Sequence, residues 1–124
     1  AVGGLSVAIY QTSLPDEIEG ILNYLGVSVV FCNDQEQVDK VADVRDKIPG
    51  VKKVIYEDSR GMRSYRSDSW FMDIEEVYRR GGDLQRRQPE LFDKLIDKGA
   101  VDDVCHFCLT SGTTSMSPFC LLPG

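Results

Sequence analysis

A chain of 124 residues, 42% apolar and 27% charged, has the composition of one ordinary globular domain, which excludes a disordered tail, a collagen-like repeat and a dedicated coiled coil. Fourteen basic residues against twenty acidic ones give a net charge of -6, the wrong sign for a nucleic-acid binder that works through phosphate contacts. No apolar run approaches the ~20 residues that span a bilayer, so no transmembrane segment is expected.

The elements alternate along the chain. An apolar strand pattern occupies residues 5–10. Ser13, Asp16 and Pro15 then form a capping signal and a first turn that tolerates proline, ahead of Ile18, Ile21, Leu22 and Leu25 at helical spacing, with Gly26 as the stop. Residues 27–32 are a short β-branched run expected to be a buried parallel strand. Asn33-Asp34 can cap a second helix carrying Val38, Val41, Val44 and Ile48 on one face, ended by Pro49-Gly50. A third strand is expected over residues 51–56, followed by a polar loop or short hairpin over residues 57–69, broken at Gly61.

Trp70, Phe71, Ile74, Val77 and Tyr78 predict a third helix stopping at Gly81-Gly82. Pro89 opens a fourth, with Leu91, Phe92, Leu95 and Ile96 inward and Gly99 at its end; Asp102-Asp103 lead into a last strand over residues 104–109. Strands separated by amphipathic helices of ~10–15 residues are the pattern of βαβ crossovers. The expected fold class is α/β, a three-layer parallel sheet with flanking helices. Ligands of such sheets collect beyond the carboxyl ends of the strands. That rule selects Thr12, Asn33-Asp34, Glu57-Asp58 and the segment after Leu109.

Both ends of the chain are apolar, whereas natural termini are usually solvated. The expectation is a piece of a longer protein whose uncovered edges would make it a dimer or higher oligomer. The four cysteines (Cys32, Cys105, Cys108, Cys120) are too few and unevenly spaced for a secreted disulfide framework, which favours a reducing, cytoplasmic setting.

The segment after Leu109 reads Thr110-Ser111-Gly112-Thr113-Thr114-Ser115, five hydroxyls around one glycine. Such a loop can turn hydroxyls and backbone N–H groups onto phosphate oxygens, though the same composition also suits a plain linker. It lacks the Gly-Lys-Ser/Thr ending of a Walker A loop. Thr110-Ser111-Gly112-Thr113-Thr114 resembles the phosphate-binding loop of the adenylate-forming (AMP-binding) superfamily of acyl-CoA synthetases. The approach Gly99-Ala100-Val101-Asp102-Asp103 is similar to theirs. Upstream, Gly3-Gly4, Val7-x-Ile9-Tyr10-Gln11-Thr12 and Glu17, and the Gly61 and Trp70 segments, resemble long-chain fatty acyl-CoA ligases in the same order.

The resemblance implies that residues 1–124 are an N-terminal α/β fragment of the AMP-binding domain, ending just after the phosphate loop. The parent reaction would convert a fatty acid and ATP, with Mg2+, to an acyl-adenylate and then pass the acyl group to coenzyme A. Thr110, Ser111, Gly112, Thr113, Thr114 and Ser115 would hold the phosphates; no catalytic residue or metal ligand of the family can be matched. The parent could rest on a membrane periphery through parts outside this sequence. One departure follows the motif. Where the family continues Gly-x-Pro-Lys-Gly, this chain has Ser115-Met116-Ser117-Pro118-Phe119, and no lysine follows Lys98. An isolated chain of this kind is expected to be inactive.

The alternative is a small non-catalytic flavodoxin-like or receiver-like binding module. Cys105-His106-Phe107-Cys108 has the spacing of a redox motif, but strand alternation places its two cysteines on opposite faces, which suits packing better. Asp102-Asp103 precede their strand rather than follow it, as a strand entry does. Arg79-Arg80 and Arg86-Arg87 suit a solvated face better than an anion site.

Overall fold

The computed structural model describes residues 3–109 in full and residues 119–123 by their backbone. The chain divides into two compact units, one of Gln11–Gly81 and one of Ala1–Tyr10 with Gly82–Gly124. Each pairs parallel strands with flanking helices, so the architecture is α/β.

The first unit begins with helix α1 (Pro15–Tyr24). Its cap is Leu14, not Ser13: Pro15 occupies the first helical position and the Leu14 N–H donates to Glu17 Oε2 at 2.9 Å. Ser13 lies one residue outside and is buried. Strand β2 (Val29–Cys32) leads into helix α2 (Gln35–Asp43), where Asp34 Oδ1 accepts the Gln37 N–H at 3.2 Å, as Asn33-Asp34 predict. Val44 and Ile48 lie past the helix, just before and just after a tight turn (Arg45–Lys47), yet both are buried as the apolar spacing requires.

Strand β3 (Lys53–Tyr56) and strand β4 (Phe71–Asp73) complete a parallel sheet in the order β2-β3-β4. The central strand buries Val54, Ile55 and Tyr56. Because β2 is an edge, Val29 and Phe31 are exposed, against the expected buried strand. Helix α2 packs on β2, β3 and α1.

Residues 57–69 form no hairpin. Gly61, with φ +74°, turns the chain into a single tight turn (Met62–Ser64), and Met62 has no exposed surface. The Tyr65 hydroxyl donates to Asp39 of α2, which pushes its pKa up to about 12; its ring lies 4.5 Å from that of Phe71. Arg45 forks onto Asp68 and stacks 4.6 Å above the Trp70 ring, while the Trp70 indole donates to the Val51 carbonyl at 3.1 Å. The loop is thereby tied to the core through Met62, Tyr65 and Asp68.

Trp70 and Phe71 do not begin a helix. Phe71 pairs with Val54 in the ladder, and helix α3 (Ile74–Arg87) starts after Asp73, which accepts the Glu75 N–H at 2.9 Å. Nor does α3 stop at Gly81-Gly82. Glu75 and Glu76 in its first turn and Arg86 and Arg87 in its last complement the helix dipole. Arginines 79 and 80 both donate to Glu76, at 2.6–2.8 Å, and Arg86 donates to Asp83. These local pairs carry the helix through two poor helix formers.

The two arginines hold the Glu76 carboxyl down to about 2. A depressed carboxylate contributes its pairing above the unfolded glutamate pKa and loses it as pH falls through the folded value. Carbon-detected NMR titration should therefore place the Glu76 inflection near 2; an inflection in the ordinary glutamate range would contradict the pairing.

The second unit holds strand β1 (Ser6–Val7), helix α4 (Leu91–Asp97) and strands β5 (Val104–Leu109) and β6 (Phe119–Pro123), with sheet order β1-β5-β6. In α4, Leu91 and Leu95 are half-buried, but Phe92 and Ile96, expected inward, are exposed. Strands β1 and β5 run parallel, whereas β6, unforeseen in the sequence, pairs antiparallel with β5. The strands thus divide between two three-stranded sheets instead of one wholly parallel sheet. Residues 110–118 are too few for a parallel return, which needs a crossover of about a dozen residues or more. No helix among the described residues is long and apolar enough to cross a membrane.

Candidate functional site

Parallel pairing brings the carboxyl ends of β2, β3 and β4 to one edge. There Cys32, Tyr56 and Asp73 stand in one row of the ladder. The β2–β3 pairing continues one step further, as the Glu57 N–H donates to the Cys32 carbonyl (3.0 Å) and the Asp58 N–H to that of Asn33 (2.9 Å). Four of the residues selected by the strand-end rule, Asn33, Asp34, Glu57 and Asp58, are therefore brought together. Thr12 sits in the turn before α1.

The chemistry of this edge is quiet. Asp34 caps α2, and Asp73 holds the Glu75 N–H. Asp58 accepts the Arg60 backbone N–H and its guanidinium at 2.5–3.0 Å, which keeps that carboxyl below the usual range. Burial, and then the nearby Asp34 charge, push the Cys32 thiol up to about 12. Burial and Asp73 raise Tyr56, with Arg66 pulling it partly back. At neutral pH both groups stay protonated, so neither serves as a nucleophile. Among the described residues no cluster of His, Cys, Asp or Glu is arranged to hold a metal ion.

Thiol labelling reads this directly. Iodoacetamide at pH 8 should leave Cys32 unmodified in the native protein and alkylate it only after denaturant is added, whereas the exposed Cys105 reacts natively. Native labelling of Cys32 at the rate of a free thiol would contradict its burial.

In the second unit, β1 and β5 end on the same side, and the Tyr10 hydroxyl reaches the Leu109 carbonyl at 3.5 Å. Leu109 is the residue from which the hydroxyl-rich segment departs. The six candidate residues, Thr110, Ser111, Gly112, Thr113, Thr114 and Ser115, lie outside the described residues, as does Pro118. On either side of them, Leu109 on β5 pairs with Phe119 on β6 in antiparallel register.

Asp103 accepts the Ala100 N–H at 2.8 Å and returns its own N–H to the Ala100 carbonyl at 3.1 Å, which makes it a turn residue at the strand entry. Within the sheet, the Ser6 hydroxyl lies 2.7 Å from His106 Nδ1 and donates to the Cys105 carbonyl at 3.2 Å. Arginines 79, 80 and 86 are paired with acids of their own helix, as on a solvated face. Sequence reasoning missed the Tyr56–Asp73–Arg66 group, because a ladder register joins residues whose proximity no local pattern displays. It also missed the opposition of Cys108 and Cys120, for which the apolar run at residues 119–122 was an available strand signal.

With this geometry in place, comparison with known proteins is informative. The chain is distantly related in sequence to long-chain-fatty-acid–CoA ligases, which align with 90% of its length. Among these relatives are the long-chain-fatty-acid–CoA ligases ACSBG1 of Macaca fascicularis (28% identical over 115 residues), Bos taurus (26% over 113) and Rattus norvegicus (25% over 112). The chain spans 15% of the length of each of these relatives. No protein-family model matches it.

Proposed function

We propose that this chain is a portion of an ATP-dependent long-chain fatty acid–CoA ligase, drawn from the three-layer α/β part of its AMP-binding domain, and that it contributes the phosphate-binding loop. The observation that carries the reading is the similarity to such ligases along 90% of the chain. The enzyme would use ATP, Mg2+ and coenzyme A with a fatty acid substrate, in the cytoplasm or at a membrane periphery.

In this role Thr110, Ser111, Gly112, Thr113, Thr114 and Ser115 would receive the β- and γ-phosphates. Short hydroxyls and an unencumbered glycine backbone suit that task, since joining a carboxylate to ATP requires two anions to be held together and charge on the leaving pyrophosphate to be stabilised. Leu109 and Phe119, on either side of these residues in the sequence, are register partners across β5 and β6. The family lysine is replaced by Pro118, which supplies neither a cation nor an N–H. The family's adenine-binding, hinge and catalytic-lysine motifs have no counterpart in these residues, so the chain alone would not catalyse, and its uncovered edges favour a dimer or higher association.

Two measurements test the reading together. The gene should continue into the family's adenine-binding, hinge and catalytic-lysine motifs, and its full product should make acyl-CoA from ATP, palmitate and coenzyme A while the 124-residue chain makes none. A full product forming neither acyl-adenylate nor acyl-CoA would overturn the ligase assignment. Acyl-CoA formed by the short chain would overturn its inactivity.

A further inference from the structure

Cys108 and Cys120 are Cα partners across the β5–β6 ladder, flanked by the pairs Phe107–Leu121 and Leu109–Phe119. Directly opposed residues of an antiparallel pair share one face, with Cα atoms about 4.5 or 5.5 Å apart according to the hydrogen-bonding of the pair. Both spacings fall within the ~4.4–6.8 Å that a disulfide spans. Cys105 does not compete for this position. It lies at the ladder irregularity between Val104 and His106, where the extra residue is left unpaired, and has no register partner on β6. Cys32 is buried in the other unit.

We propose that Cys108 and Cys120 are a modification site: a cysteine pair poised to form a cross-strand disulfide when exposed to a low-molecular-weight disulfide such as oxidised glutathione. Cys108 is a free, partly accessible thiol. After losing its proton to solvent, its sulfur attacks one sulfur of the oxidant, whose S–S bond breaks and releases one glutathione thiolate. The deprotonated Cys120 then attacks the Cys108 sulfur of the mixed disulfide and displaces the second glutathione. Two protein thiols are oxidised by two electrons, one glutathione disulfide is reduced to two thiols, and the two protons pass through solvent to the leaving thiolates. This inference needs only the hairpin register and stands whether or not the chain belongs to a ligase.

The test uses the reduced full chain, incubated with oxidised glutathione, blocked with N-ethylmaleimide and digested with chymotrypsin without reduction. Cleavage after Phe107, Leu109 and Phe119 separates Cys105, Cys108 and Cys120 for mass spectrometry. The expected product is a Cys108–Cys120 linked peptide pair, lighter than the two reduced peptides by two hydrogens. It should form at a rate independent of protein concentration, persist in Cys105→Ser, and vanish in Cys108→Ser and in Cys120→Ser. Linkage to Cys105 or Cys32, linkage between chains, a stable glutathione adduct left unresolved on Cys108, or thiols that all remain free would each overturn the proposal.

Discussion

Replacing Met62 by alanine should lower the stability of the first unit by about 2–5 kcal/mol, the range for removing a fully buried large side chain and leaving a cavity. For a unit of this size that is a fall in Tm of roughly 10–35 °C. The expectation rests on position, not on residue type. Met62 has no exposed surface although it belongs to a stretch that is otherwise polar, and Gly61 with φ +74° aims it inward. Calorimetry or chemical denaturation followed by circular dichroism reads the loss. A change under about 0.5 kcal/mol, typical of surface sites, would mean that residues 57–69 do not pack on the core.

The second large effect is at Trp70. Its ring meets Phe71 edge-on at 5.0 Å, lies under the Arg45 guanidinium, and anchors its N–H on the Val51 carbonyl. Trp70→Ala removes all three contacts. Since the side chain is only half-buried, the cost should fall at or just below the lower end of the range for tryptophan truncation, about 2–3 kcal/mol. Trp70→Phe keeps an aromatic face for both neighbours and loses the hydrogen bond, so it should cost about 1 kcal/mol. Equal losses in the two variants would place the whole effect on the hydrogen bond and contradict the stacking. The same cluster depresses the Asp68 carboxyl, through the Arg45 guanidinium first and the Trp70 backbone N–H second.

Sequence patterns were sufficient where local chemistry decides the structure. Pro15 at a first turn, Asp34 before Gln35, and the β-branched runs of β2 and β3 each produce the expected element. They misled where a tertiary partner decides. The spacing of residues 70, 71, 74, 77 and 78 fits a helix throughout, yet pairing of Phe71 with Val54 takes the first part into the sheet. Gly81-Gly82 reads as a stop, but Glu76 and Asp83 engage the arginines around it and the helix continues. Val29 and Phe31 read as interior because an edge strand and a central one share composition; only the order β2-β3-β4 separates them.

The candidate site divides in the same way. The strand-end rule brought Asn33, Asp34, Glu57 and Asp58 to one edge, because parallel pairing guarantees it. The sequence marked Asp34 as a helix cap, but it did not reveal that Asp58 is already engaged by Arg60. A carboxylate in sequence is a charge, and only its neighbours decide whether that charge is available. The hydroxyl segment was legible as a motif after a strand, whereas the antiparallel pairing of β6 with β5 beyond it was not.

Phosphate recognition by residues 110–115 is the central claim, and NMR titration of the 15N-labelled chain with Mg·ATP tests it most directly, alongside Pro118→Lys. A cation restored beside a polyphosphate is worth on the order of 1–3 kcal/mol, or roughly ten- to a hundredfold in affinity. The account predicts amide shifts gathered on Thr110, Ser111, Gly112, Thr113, Thr114 and Ser115, weak in the native chain and saturating at least tenfold lower in ATP with the lysine present. Shifts that spare these residues, or gather at the carboxyl ends of β2, β3 and β4 in both proteins, would contradict it.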